Sequence, residues 1–251
     1  LPADSDARLL DVTAAHAVLT LMGPNARAIL AAVTEDDVSA AAIPFATCRT
    51  VMIAGAPVRA LRITYVGELG FELHMPSDSA GAVFDAITAA GEQHGLALAG
   101  YRAIESLRLE KGYRAWGSDI GPDHTPIEAG LSWAVKTKSN TDFIGRAAIE
   151  AQQREGVAKR LACFTVEDPD VPILGRETIF RDGEQVGWLT SGGFGHTVGK
   201  PIGYGYVRRK EGVDDAFLAS GAYELEVATR RVPATLHMAA LYDPENRRIR
   251  A

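Results

Sequence analysis

The sequence predicts an α+β fold, in which an antiparallel sheet with packed helices is followed by a small C-terminal β-barrel. Three observations support this fold class. Before residue 76, apolar and polar residues alternate with the period of two that is typical of half-buried strands. Amphipathic stretches with helical spacing occupy residues 77–91 and 100–112. Beyond residue 160, short β-rich runs alternate with turns.

The first half of the chain predicts the order strand, helix, strands, helix. The apolar run 17–22 ends at a Gly-Pro pair, and a helix with Asn25 as its N-cap follows. A second helix, 77–91, carries apolar residues on one face and ends near Gly91. The strands expected between these helices are 49–53, 57–65 and 71–75.

The segment 100–112 predicts another amphipathic helix, because apolar residues recur every three positions from Tyr101. Arg102 and Glu105 are interpreted as exposed ion-pairing residues on its polar face. The charged segment 152–159 is interpreted as a joint. We therefore expect two domains: residues 1–155 form an α+β domain with a ferredoxin-like layer, and residues 156–251 form the barrel domain.

Six short runs in the second domain predict barrel strands, and Asp182-Gly183 is a strong signal for a two-residue hairpin. The glycine-rich stretch 191–201 has neither the spacing of a phosphate loop nor that of a dinucleotide fingerprint. We interpret its glycines as turn residues between barrel strands. The six strands are expected at 161–166, 178–181, 185–190, 202–207, 223–228 and 234–237.

Composition excludes several functional classes. The chain has 251 residues, 47% of them hydrophobic, and a formal net charge of −6, with a pI near 5.6. This charge argues against a broad nucleic-acid surface. No apolar run is long enough for a membrane span, and residues 1–6 do not resemble a secretion signal, so we expect a cytoplasmic protein. Cys48 and Cys163 lack partner ligands nearby in sequence, which predicts free thiols and no metal site.

The segment Thr64 to Leu73 is the strongest candidate for a ligand site. Gly67 and Gly70 open a turn between two predicted strands. Tyr65 offers a ring face and a hydroxyl, while the carboxylate of Glu72 can accept two parallel hydrogen bonds from an N–H and an adjacent amino group. Pterins and guanine-like rings present such an edge. The alternative is an ordinary polar hairpin with solvated glutamates.

Four segments carry a family resemblance. They read TYVGELGFEL from Thr64, GYRAIESLRLEKGY from Gly100, TPIEAGL from Thr125 and FIGR from Phe143. Together they resemble the glycine-cleavage T-protein (aminomethyltransferase) superfamily. Within it, residues 100–112 and the ending YDPENRR from Tyr242 are most similar to the C-terminal folate region of sarcosine and dimethylglycine dehydrogenases.

The resemblance implies tetrahydrofolate binding and one-carbon transfer. In such enzymes a flavin oxidises a methylamine to an iminium, and the folate amine captures that carbon to give 5,10-methylenetetrahydrofolate. The expected partners are therefore a folate, a methylamine-derived iminium and a flavoprotein domain or subunit. FAD is expected only through a domain or partner outside this chain, because these residues contain no nucleotide-binding fingerprint.

The resemblance also implies cofactor-binding residues, although it leaves the catalytic residue unknown. Tyr65 and Glu72 match positions that contact the pterin. Glu68 is expected to secure the turn beside them. Arg108 either orients carboxylates or forms a structural ion pair, and Trp133 is either a pocket wall or a core residue.

Two departures from the family pattern define the alternatives. Ile104 stands where T-proteins usually carry an arginine, which favours the dehydrogenase branch over a glycine-cleavage aminomethyltransferase. The family's folate region also normally begins earlier, with a segment that carries an acidic residue thought to assist transfer. We therefore expect this chain to hold only part of the pterin pocket, and a non-catalytic folate-binding module remains an alternative.

Overall fold

The computed structural model describes residues 5–251. The chain divides into two compact units. Among the described residues, unit 1 comprises residues 5–99 together with Glu245–Ala251, and unit 2 comprises Gly100–Pro244. The predicted mixed fold class is confirmed, because an antiparallel sheet with helices precedes a closed β-barrel. The predicted border at residue 155 stays a prediction.

Unit 1 is built on a four-stranded antiparallel sheet in the order β1-β4-β3-β2. Two helices pack with one face of this sheet around a single apolar core. The core residues include Leu30 and Val83 from the helices and Phe71 from a central strand. The elements are β1 (His16–Met22), α1 (Ala26–Ala32), β2 (Cys48–Ile53), β3 (Ala56–Leu61), β4 (Gly70–Pro76) and α2 (Ala80–Gly91).

Two details of unit 1 differ from the sequence predictions. Strand β3 ends at Leu61 and not at Tyr65, because the Ile63 N–H bonds to the Leu61 oxygen in a tight turn that a strand ladder cannot contain. Asn25 does not cap α1 with its side chain. Its ψ of 2° is not the extended conformation that a side-chain cap requires, and its amide donates instead to the His94 oxygen at 3.0 Å.

Unit 2 contains a closed barrel of six antiparallel strands in the order β10-β5-β8-β7-β6-β9. Helix α3 packs outside it, where Leu109 joins an apolar cluster with Ile202 and Tyr204. The elements are α3 (Tyr101–Lys111), α4 (Arg146–Glu155), β5 (Lys159–Thr165), β6 (Thr178–Arg181), β7 (Glu184–Gly195), β8 (Lys200–Arg208), α5 (Asp215–Ala219), β9 (Tyr223–Val227) and β10 (Arg230–His237).

The predicted hairpin at Asp182-Gly183 is confirmed. These residues have φ angles of 52° and 87°, the two positive values that a tight hairpin between β6 and β7 requires. The glycine-rich stretch differs in part from its prediction, since β7 continues to Gly195 and only residues 196–199 turn. Gly195 leaves room for the side chains of Glu110 and Ile202, to which a Cβ would come within 3.0 Å.

Close approach of β7 and β8 explains a further glycine. A Cβ on Gly205 would lie 2.4 Å from the Trp188 oxygen and 2.8 Å from Leu189 Cα, both backbone atoms that cannot yield without moving the strand. Gly205→Ala is therefore expected to lower the free energy of unfolding by about 1–3 kcal/mol. Gly81→Ala is the matched control, because its Cβ would meet open space inside α2 and should stabilise by about 0.5–1 kcal/mol. Urea unfolding measures both; equal effects would contradict the packing argument.

Candidate functional site

Glu72 lies in the middle of β4, one of the two central strands of the sheet, and points away from the core. Its neighbours Phe71 and Leu73 are fully buried in the apolar core, so alternation along the strand turns Glu72 and His74 to the opposite face. Thr20 of β1 and Leu61 of β3 flank Glu72 in register. The carboxylate is thus held on a rigid strand with its functional group on the polar face of the sheet.

This polar face is open to solvent in the part of the chain that the structure describes. Val18 and Met52, which share it, are 48% and 49% exposed. Glu72 has one hydrogen-bond partner among residues 5–251: its Oε2 lies 3.4 Å from His74 Nε2, a long contact. Its other carboxylate oxygen is therefore available to a ligand, and the weak contact to His74 is easily exchanged for a stronger one.

Tyr65 lies half-buried in the eight-residue loop 62–69 that joins β3 to β4. Gly67 has a φ of 80°, which supplies the left-handed residue that the turn needs. Gly70 serves a different purpose, because a Cβ there would lie 2.9 Å from the Ile63 oxygen and 2.9 Å from Met22 Cγ. The two glycines that drew attention in the sequence therefore shape the loop that carries Tyr65.

Glu68 lies near the end of the same loop. Its Oε1 is 3.2 Å from the Arg248 NH1 nitrogen, and its side chain is 18% exposed. Both residues belong to unit 1. This contact is consistent with the expectation that Glu68 secures the turn, and its partner comes from the C-terminal segment, which no local sequence pattern indicates.

Arg108 is one of the largest buried side chains, at 1% exposure, and its guanidinium donates hydrogen bonds to four protein residues. It donates to Asp119 at 2.5 Å and to Glu105 at 2.7 Å, and it also reaches the Tyr113 oxygen and Ser191 Oγ. Burial lowers the pKa of Arg108, but the attraction of Asp119 and Glu105 outweighs burial and the pKa is raised. Two alternatives were open for Arg108: orienting the carboxylates of a ligand or forming a structural ion pair. These contacts match the structural ion pair.

Trp133 is 82% exposed, so the core alternative for this residue is wrong. It lies in a short 3-10 turn, Ser132–Ala134, none of whose residues is buried. Trp133 lines a surface depression of unit 2 together with Gln152, Arg160 and Asp215. The pocket-wall alternative therefore matches its position, and its contact with a folate stays a prediction.

Sequence reasoning missed the buried carboxylates of unit 2. Asp119 is 1% exposed and accepts hydrogen bonds from Thr190, Ser191 and Arg108. Glu110, also 1% exposed, accepts from the backbone N–H groups of residues 197 and 198 in the turn between β7 and β8. Their partners are distant in sequence, so no local pattern could have signalled them. The proximity of His74 to Glu72, in contrast, follows from period-two alternation.

The two cysteines are free, as the sequence predicted, and they differ in exposure: Cys48 is exposed and Cys163 is buried. Burial raises the pKa of the Cys163 thiol to about 12. Since the thiolate is the reactive form, we expect iodoacetamide at pH 8 to alkylate Cys48 in the native protein and Cys163 only after denaturation. Peptide mass spectrometry distinguishes the two sites; equal labelling of native Cys163 would contradict its burial.

No helix within residues 5–251 is long and apolar enough to cross a membrane. The same residues contain no group of three or more histidine, cysteine, aspartate or glutamate side chains that could hold a metal ion.

Comparison with known proteins identifies this combination of sheet unit and barrel. The GCVT N-terminal domain matches residues 2–139, and the glycine cleavage T-protein C-terminal barrel domain matches residues 159–243. The chain therefore belongs to the glycine cleavage T-protein family. The predicted border at residue 155 lies between the two matched regions.

The chain is similar to the mitochondrial sarcosine dehydrogenase of Mus musculus, with 44% identity over 97% of this chain and 27% of that protein. It is 38% identical to the mitochondrial dimethylglycine dehydrogenase of the same species, over 80% of this chain and 23% of that protein. The crystal structure of the glycine cleavage system aminomethyltransferase T from Bartonella henselae superposes with a TM-score of 0.77 at 26% identity, covering 91% of this chain and 60% of that one. The chain thus spans about a quarter of the length of the dehydrogenases.

Proposed function

We propose that this chain is the tetrahydrofolate-binding, one-carbon-transfer portion of an FAD-dependent N-methylamine dehydrogenase that acts on sarcosine or dimethylglycine and forms 5,10-methylenetetrahydrofolate. The observation that carries the proposal is the carboxylate of Glu72, which a rigid strand holds on the open face of the sheet with one oxygen available. Similarity to both dehydrogenases supports the choice of substrate class. In this proposal FAD belongs to a domain or subunit outside these residues.

The acceptor carboxylate and the aromatic ring of the candidate site fit a reduced pterin. A carboxylate matches the N–H and amino edge of the pterin ring in charge and in geometry, since ionised carboxylates accept two parallel hydrogen bonds. Tyr65 supplies a half-buried aromatic ring in the adjoining loop. When bound, tetrahydrofolate supplies the amine nitrogens that accept the one-carbon unit.

The residues of this chain act by binding and orientation. Glu72 fixes the rotation of the ring in its plane, while Tyr65 packs against the ring. Holding a nucleophilic amine in attack geometry converts a bimolecular capture into an effectively unimolecular one, which contributes several kcal/mol in favourable cases. Arg108 is engaged by Asp119 and Glu105. In this proposal Arg108 therefore stabilises unit 2 and does not contact the ligand.

Titration with 5-formyltetrahydrofolate, a reduced folate that resists oxidation, tests the proposal. We expect calorimetry to show saturable binding of this ligand to the 251-residue protein. Absence of binding up to millimolar ligand would contradict a folate site. A second assay adds tetrahydrofolate, sarcosine and a sarcosine-oxidising flavoprotein domain. We expect methylenetetrahydrofolate to form faster with the 251-residue protein than without it, since free formaldehyde also condenses with tetrahydrofolate unaided; binding without this acceleration would favour the non-catalytic folate module.

The glycine-cleavage aminomethyltransferase is less well supported, because Ile104 stands where T-proteins usually carry an arginine. Its assay is independent of the first. Ammonia release from an aminomethyl-lipoyl carrier protein would favour that reaction over methylamine oxidation.

A further inference from the structure

The last seven residues of the chain, Glu245–Ala251, return to unit 1 after the barrel of unit 2 is complete. We name this segment the C-terminal strap. Its residue Ile249 is 4% exposed, although it lies at the end of a polar, arginine-rich sequence. Two backbone oxygens of the strap accept hydrogen bonds from Arg62, at 3.2 Å for Ile249 and 2.5 Å for Ala251. Arg27 donates to Ala251 as well, at 3.1 Å.

The strap supplies most of the hydrogen-bond acceptors of Arg62 and one of those of Arg27, which also donates to the Val38 oxygen. No Asp or Glu side chain among residues 5–251 forms an ion pair with Arg27 or Arg62, and both guanidinium groups lie over the ring of Phe71 at 5.5 Å. Arg62 is 1% exposed. Without the strap its remaining acceptor would be the Ile43 oxygen at 3.3 Å. A buried guanidinium needs acceptors, so the strap and Arg62 stabilise each other.

The strap touches both ends of the loop that carries Tyr65. Arg62 is the first residue of the loop 62–69, and Glu68 lies near its end, where it pairs with Arg248 of the strap at 3.2 Å. Tyr65 lies between these two contacts in sequence. The loop is therefore fastened at its start by backbone oxygens of the strap and near its end by an arginine of the strap.

We propose that the C-terminal strap is a positioning element that fixes the loop 62–69 and thereby sets the affinity of the Tyr65 and Glu72 site. The role in affinity rests on the proposed folate function, whereas the effect on loop order does not. Ile249, Arg248 and Arg62 are positioning residues: they act through the loop and have no contact with ligand in this proposal.

Hydrogen exchange measured by mass spectrometry tests the strap directly. Ile249→Asn replaces a buried apolar side chain with a polar one and should release the strap. We expect amide exchange in residues 62–69 to accelerate by about tenfold, because local opening then needs fewer contacts to break. Exchange in β7 and β8 should stay unchanged. Ile144→Asn is the matched control, since Ile144 is fully exposed in unit 2.

A second pair of variants separates the ion pair from general loss of charge. Arg248→Ala removes an ion-pair partner of Glu68, whereas Arg247→Ala removes an arginine that pairs with Glu245 inside the strap. We expect faster exchange in 62–69 for Arg248→Ala alone. If Ile249→Asn also accelerates exchange in the barrel, and so disturbs the whole fold, the Arg248 and Arg247 pair decides the question.

Binding of 5-formyltetrahydrofolate supplies the functional measurement. We expect Ile249→Asn to weaken it by about tenfold, in proportion to the loop opening that the ligand must reverse. Unchanged exchange in 62–69 would overturn the strap proposal, and faster exchange with unchanged folate affinity would overturn its role in positioning. If the wild-type protein binds no folate, the proposed function fails, while the exchange experiment still tests whether the strap orders the loop.

Discussion

Glu72→Gln is expected to weaken the binding of a reduced folate by about 10- to 150-fold. Glutamine keeps the shape of the side chain but removes the charge that makes both hydrogen bonds to the pterin edge strong, and hydrogen bonds to charged groups contribute roughly 1.5–3 kcal/mol. The strand position argues against a secondary effect on folding, because Glu72 points away from the core that Phe71 and Leu73 fill. Calorimetric titration with 5-formyltetrahydrofolate measures the change.

Glu226→Gln is the matched control for this variant. Glu226 is also a half-buried strand glutamate, but it lies on β9 of the barrel. Its replacement removes the same charge from the protein and should leave folate affinity unchanged. Equal folate affinity of the wild type and Glu72→Gln would exclude Glu72 from the pocket. An equal loss of folate affinity in Glu72→Gln and Glu226→Gln would show that the effect comes from the net charge of the protein.

Asp119→Ala is expected to lower the free energy of unfolding of unit 2 by about 3–5 kcal/mol. Asp119 is 1% exposed and binds Arg108 at 2.5 Å, Ser191 at 2.7 Å and Thr190 at 2.5 Å. Its removal leaves the buried guanidinium of Arg108 without its closest counter-ion. Thermal and urea unfolding measure this loss of stability, with the fluorescence of Trp188 in β7 reporting on the barrel.

Two controls separate a buried ion pair from ion pairs in general. Asp215→Ala breaks the pair with Arg160, but Asp215 is 76% exposed, so the loss should stay below about 1 kcal/mol. The double variant Arg108→Met with Asp119→Leu removes both charges and should recover most of the stability. A loss below about 1 kcal/mol for Asp119→Ala would show that the network contributes little.

Local patterns were sufficient to predict most of the fold. Period-two alternation located β4 to within a residue at each end, and the Asp182-Gly183 pair correctly predicted the hairpin of the barrel. These features depend on residues that are neighbours in sequence. Position on the strand likewise predicts that Glu72 faces away from the core, which is the main geometric property of the candidate site.

Several of the features that sequence reasoning missed depend on contacts between distant residues. Strand β3 ends early where the chain turns into Arg62, whose acceptors include Ile249 and Ala251, nearly two hundred residues away. Asp119 bonds to residues 190 and 191. The core alternative for Trp133 relied on the general burial of aromatic residues, whereas the local 3-10 turn leaves this ring exposed.

A crystal structure of the protein with 5-formyltetrahydrofolate tests the central claim most directly. The account predicts that the pterin edge bonds to both carboxylate oxygens of Glu72, with the ring against Tyr65 and the contact between Glu72 and His74 broken. A pterin bound elsewhere, with Glu72 still beside His74 at 3.4 Å, would contradict it.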